Sequence, residues 1–229
     1  MQSEFFCMKI MRWLWIGLLV LCLTLLARAG NHESRWYLEG LSRKELSRIY
    51  PTKNIEDLFE VFPNGFSVSQ MRLVGDTMVF VYLEANEKGK PFVGTIEQVT
   101  KLRAVKKSMT FQYVDGKFIF ENEEEVKELW PQGKFLFQEL QLNQSVLSNA
   151  KLQKKQYWKK EESVSGHNTF YLAYNVHLPE LSRILGKEES LPLEFSILGY
   201  DESQNKLYEI SVEEDGKTIF YENIRGKEN

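Results

Sequence analysis

The chain has 229 residues, with 29 Lys and Arg against 32 Asp and Glu, for a net charge of −3. That balance excludes the basic stripe that nucleic-acid binding needs. Both cysteines, Cys7 and Cys22, precede residue 30, so the rest of the chain has no disulfide or thiol chemistry.

Residues 13–27 (WLWIGLLVLCLTLLA) carry no charge, with Lys9 and Arg12 ahead of them and Arg28 behind. Positive residues before a short apolar run are the layout of an export signal. A spanning helix needs about 20 apolar residues, whereas signal-peptide hydrophobic regions run roughly 7–15. Residues 1–29 are therefore expected to act as a signal peptide or a membrane anchor. Small residues at Ala27 and Ala29 suit cleavage between Ala29 and Gly30. Retention as an anchor is the alternative, with Arg12 and Arg28 reaching opposite interfaces. Either fate places residues 30–229 outside the cytoplasm as one domain, secreted or attached to the cell membrane. Without Glu4, Lys9, Arg12 and Arg28 that domain keeps 26 basic and 31 acidic residues. Charge alone does not hold such a domain to anionic lipid.

Residues 31–62 have a helical pattern, with Leu38, Leu41, Leu46 and Ile49 on one stripe. Gly40 is expected to split the stretch, and Ser42 with Glu45 to form a capping box. Pro51 stops it, and Asn54 caps a further turn or two over 55–62. From Phe66 the period changes to two. Phe66–Val74 and Thr77–Ala85 are strands joined at Gly75-Asp76, and 92–105 is one long strand rich in β-branched residues. Strands 108–114 and Lys117–Phe120 flank Asp115-Gly116, the strongest hairpin signal in the chain. Asn122 and the acids Glu123, Glu124 and Glu125 open a short helix ending at Trp130-Pro131. Further strands are predicted near 134–142, 154–162, 167–176, 192–200, 206–213 and 217–222. One helix, Pro179–Leu185, interrupts them, with Pro179 at its first position and Gly186 as its C-cap.

The helical start (31–62) and the β-rich remainder (66–222) give an α+β fold. It is expected to be a strongly twisted, mostly antiparallel sheet with a few short helices on one face. Thr77–Ala85 is apolar on both faces, the pattern of a central strand covered on both sides. Lys155, Tyr157, Lys159 and Glu161 share one face of another strand, and Thr169, Tyr171 and Asn175 nearly fill a face of a third. Those faces are expected to be half open to water.

The search for chemistry is mostly negative. His32 lies near the N-terminus, and His167 and His177 bracket a strand, too far apart along it to share a metal. No serine sits in a nucleophile elbow, and no Gly-rich loop follows a strand to cradle phosphate. The acidic run 121–125 lacks the alternating acids and turn glycine of a calcium loop. No catalytic residue, cofactor or metal is assigned, and the chain is not expected to be an enzyme.

In the order of its features the chain resembles the TipC-type immunity proteins of Gram-positive bacteria. The resemblance rests on the short leader 13–27, the segment 54–62 (NIEDLFEVF) and the hairpins over 71–83 and 110–120 (TFQYVDGKFIF). It implies a small, membrane-attached, extracytoplasmic protein that neutralises an LXG toxin exported by type VII secretion, by pressing a sheet face on the toxin's active site. The partner would be a secreted toxin domain encoded next door. Cleavage after Ala29 would depart from that family's retained anchor.

Occlusion needs a preformed surface, a few aromatic anchors and complementary charge. The face bearing Tyr157, Lys159, Tyr171 and Asn175 is the expected partner-binding surface. Completion of the core by the same aromatics is the competing reading. The rival functions are a cell-envelope carrier of lipid or another small ligand, with a pocket lined by Phe80, Phe111 and Tyr113, and a structural component of an envelope or conjugation machine.

Overall fold

The computed structural model describes residues 14–24, 35–142, 151–152, 161–162, 168–188, 191–198 and 206–227. Residues 1–41 and 42–229 form two separate compact units. In the first, α1 covers residues 14–24 with every residue exposed, and α2 (Arg35–Leu46) begins. No helix among the described residues is long and apolar enough to cross a membrane. The proposed cleavage point, Ala29 and Gly30, lies outside the described residues.

The second unit is an open antiparallel sheet with short helices. Its first run of strands is β1 (Phe66–Val74), β2 (Thr77–Ala85), β3 (Phe92–Thr100), β4 (Val105–Val114) and β5 (Lys117–Phe120). The second run is β6 (Lys151–Leu152), β7 (Glu161–Glu162), β8 (Asn168–Val176), β9 (Leu191–Leu198), β10 (Leu207–Glu214) and β11 (Lys217–Gly226). The sheet order is β5-β4-β3-β2-β1-β11-β10-β9-β8-β6, with β7 also paired to β8. Each half is thus a meander, and the pairing of β1 with β11 joins the halves, from Phe66 opposite Gly226 to Arg72 opposite Phe220. Asp115-Gly116 and Asp215-Gly216 both have φ of 50° followed by 70° or more. Positive φ at two successive residues is what a two-residue hairpin turn requires.

Helices α3 (Glu123–Leu129), α4 (Leu136–Glu139) and α5 (Pro179–Leu185) lie with a 3-10 helix, Ile55–Glu60, around one face of this sheet. That face carries Phe66, Val68, Val79, Val81, Leu83, Ile96 and Ile224, all buried. Above β4 and β5 the core is aromatic. Phe118 packs edge-on against Trp130 at 5.2 Å and Tyr113 at 5.0 Å, and Trp130 lies 5.2 Å from Phe135. Burial of such rings is the dominant stabilising term of the fold.

Three polar residues tie helices to strands. Arg72 of β1 donates to the carbonyls of Ile184 (3.0 Å) and Leu129 (3.4 Å), one at the end of α5 and one at the end of α3. A cation is favoured there by two helix C-termini at once. Arg72→Met is expected to cost about 2 kcal/mol of stability in denaturant unfolding. Glu45 near the end of α2 accepts from Lys206 Nζ at 2.8 Å and Tyr208 OH at 2.7 Å. Burial opposes ionisation of Glu45, but the bonds from Lys206 and Tyr208 outweigh it and hold its pKa below the usual carboxylate value. Glu222 of β11 is fully buried and accepts from Gln70 Nε2 at 2.9 Å and from the backbone N–H groups of Leu136 and Phe137 at 2.5 and 2.8 Å.

Two of these ties account for departures from the sequence pattern, at Glu45 and at residues 134–142, and others are local. Gly40 does not split α2, which runs through it, since a helix interior tolerates one glycine for about 1 kcal/mol. Glu45 turns to Lys206 and Tyr208 rather than back to form a capping box. Residues 134–142 are not a strand: Glu222 satisfies the first N–H groups of α4, so this stretch turns into the core as a single helical turn. The long strand 92–105 is interrupted at Thr100 by a tight loop, and β4 starts again at Val105. Strand β2 is central, but Tyr82 on its second face is 38 % exposed, so only the helix-bearing face is fully covered. Asn54 caps as expected, accepting from Glu56 N at 3.3 Å, although the helix that follows is 3-10. Of the strand predicted over 154–162, only Glu161–Glu162 is described.

Candidate functional site

The face opposite the helices is where a partner-binding surface was expected, and the register builds it residue by residue. A cross-strand row runs from Tyr171 through Ser196, Glu209, Asn223 and Ser69 to Tyr82, each directly opposite the next. Side chains in such a row are nearest neighbours across the ladder. The row contains two phenols, two hydroxyls, an amide and a carboxylate, and no cation. Tyr171 is half-buried and Asn175, four residues on along the same face of β8, is exposed. Thr169, expected on an open face, is buried, as are Ala173 and Ser196 beside it. Tyr157 and Lys159 lie outside the described residues, so of the four expected contact residues the structure places only Tyr171 and Asn175, on one face.

The electrostatics of this face are acidic. Burial raises the pKa of Glu194 on β9, and the charges of Glu213 and Glu209 raise it further. Burial also raises Glu209, partly offset by a hydrogen bond with Asn223. Tyr221 on the same face is raised by burial and then by Glu209. Carboxylates held together in this way bind a cationic group of a partner more favourably than isolated ones do. A hollow of about 330 Å³ lies at the other end of the face, lined by Val93, Thr110, Phe111, Gln112, Ile119, Phe120 and Glu121.

The remaining candidates resolve as structural residues. Phe111 and Tyr113 face the helices and are buried in the aromatic cluster, whereas Phe80 is on the opposite face, so the three do not line one pocket. Glu123, Glu124 and Glu125 occupy the first turn of α3, whose cap Asn122 accepts from Glu124 N and Glu125 N. His177 is exposed, with Nδ1 3.5 Å from Ser182 Oγ; His32 and His167 lie outside the described residues. Among the described residues no group of three or more His, Cys, Asp or Glu is placed to hold a metal ion. Sequence reasoning missed Glu194, Glu209 and Tyr221, because cross-strand neighbours depend on the order of strands. No protein-family model matches the chain, and no curated protein matches it.

Proposed function

We propose that the protein is an extracytoplasmic binding protein, an immunity protein that neutralises a secreted bacterial toxin by occluding its active site. The single observation that carries this reading is the contrast between the two faces of the sheet. The helix-bearing face is packed with buried side chains, while the other carries a row of polar groups from Tyr171 to Tyr82 that, apart from buried Ser196, are half-buried or exposed. Aromatic anchors within a polar surface are how protein interfaces concentrate their affinity. The export-type leader and the acidic charge support the same reading.

The test is stoichiometric. The protein, mixed with an exported toxin domain encoded beside it, is expected to form a stable complex and to stop the toxin's activity only at molar equivalence. Protection at much lower ratios, with the toxin chemically altered, would point to an enzyme instead. Within the complex, Tyr171→Ala is expected to cost about 2 kcal/mol of affinity, roughly thirtyfold, with unfolding of the free protein unchanged. A loss of stability without a loss of affinity would place Tyr171 in the core.

A further inference from the structure

The turn between β3 and β4 is a feature that the toxin-binding reading does not use. Leu102 at its apex is 92 % exposed, and two further large apolar residues at the same end of the sheet, Val105 and Val74, are 57 % and 42 % exposed. Four of the seven residues 101–107 (KLRAVKK) are cationic and none is acidic, in a chain whose net charge is −3. Lys101 pairs with Asp76, and Lys107 with Glu128 at 3.0 Å. Among the described residues Arg103 and Lys106 form no ion pair, although the charge of Lys106 also acts on Asp76 beside the turn.

The turn is held in shape. Arg103 N donates to Thr100 O at 2.9 Å, Thr100 N to Ala104 O at 2.9 Å, and Ala104 N to Thr100 Oγ1 at 3.1 Å. Arg103 has φ of 62°, the left-handed position of a three-residue hairpin loop, where glycine or asparagine suits the backbone better. An arginine there does not serve the turn's own backbone, and such departures cluster at functional sites.

We propose that this turn is a docking tip for an anionic lipid surface, with Leu102 entering the boundary of headgroups and acyl chains and Arg103 and Lys106 meeting lipid phosphates. A single protruding leucine ringed by cations suits a deformable, anionic partner, whereas a protein would have to supply a matching pocket. The contact is small, so it binds weakly and reversibly and orients the domain rather than anchoring it. The tip lies on the far half of the sheet from Tyr171, and its function stands or falls separately from toxin binding.

The experiment uses the full chain with Cys7→Ser and Cys22→Ser and an environment-sensitive fluorophore on Leu102→Cys. On vesicles of phosphatidylcholine and phosphatidylglycerol, about 7:3, the emission is expected to brighten and shift to the blue, and about 0.5 M salt to reverse it. Pure phosphatidylcholine is expected to give little change. Because the probe reports insertion of the tip, membrane binding by the leader does not mimic the signal. Arg103→Ser with Lys106→Ser is expected to lower apparent lipid affinity about thirtyfold, about fivefold for each cation. Arg103→Gly is expected to lose its fivefold share while raising the melting temperature, an opposition that a structural role for the arginine does not produce. Water-like emission on both kinds of vesicle overturns the proposal, and so does an equal shift on both. A response to soluble polyglutamate but not to vesicles assigns the tip to an acidic protein and also overturns it.

Discussion

Glu222→Ala is expected to destabilise the protein by about 4 kcal/mol, because it leaves three buried donors, Leu136 N, Phe137 N and Gln70 Nε2, without an acceptor. Glu222→Gln has a different signature. Burial pushes the Glu222 carboxyl up to about 8, against the opposing effect of the two backbone N–H groups and Gln70. A folded-state pKa above the unfolded value means that the fold favours the protonated acid. Its contribution is complete below the unfolded pKa, near 4.5, and is lost as pH rises towards 8. Over that window the loss approaches about 5 kcal/mol as an upper limit. Glutamine cannot titrate, but its amide nitrogen faces one of the N–H donors, so the variant is expected to be about 1–2 kcal/mol less stable than the parent at pH 5. The parent then loses about 1.4 kcal/mol per pH unit up to 8, so the gap should close at about pH 6 and reverse above it. Raised carboxyls elsewhere, Glu194 and Glu209, slope in the same direction. Glu45, whose pKa is lowered, contributes stability above its unfolded pKa that is lost on acidification. These terms are common to parent and variant and cancel in the difference, so denaturant unfolding of the pair between pH 5 and 9 isolates Glu222. Parallel pH profiles would show that Glu222 is ionised throughout.

The parts of the fold that were legible in the sequence are those whose instructions are local. β1 and β2 lie on either side of a tight turn at Gly75-Asp76, β4 and β5 flank Asp115-Gly116, and Pro179 and Gly186 bracket α5; these bounds follow from neighbours in the chain. The misses have distant causes. α4 forms because Glu222, 86 residues after Leu136, caps its N-terminus. Glu45 abandons the capping box for Lys206, 161 residues away. The Thr100 turn was hidden for the opposite reason, since its left-handed position holds an arginine and carries none of the usual punctuation. Of the candidate surface, period two was enough to put Tyr171 and Asn175 on one face. Their neighbours Ser196 and Glu194 came from strand order, which periodicity does not encode.

Gly94 on β3 carries the second large effect. It stands opposite Phe111 on β4 and Leu83 on β2. A Cβ at this position would overlap the Phe111 ring at Cζ, Cε1 and Cε2. The ring is 2 % exposed and packs 5.6 Å from Phe118, 5.8 Å from Phe120 and 6.0 Å from Trp130, so a shift of the ring disturbs three aromatic contacts. Gly94→Ala is therefore expected to cost about 3 kcal/mol through overpacking, although alanine in a strand is ordinarily better than glycine by about 0.5–1 kcal/mol. Phe111→Ala should cost about 4 kcal/mol through the cavity it leaves. The informative measurement is the double variant. With the ring gone, the added methyl no longer collides, fills part of the cavity and restricts the unfolded chain, so Gly94→Ala should become stabilising by about 0.5–1 kcal/mol in the Phe111→Ala background. A sign change between the two backgrounds assigns the glycine to the ring that lies across it. The same loss in both backgrounds would mean that the strand needs glycine for its own backbone, and that Phe111 merely occupies the space this leaves.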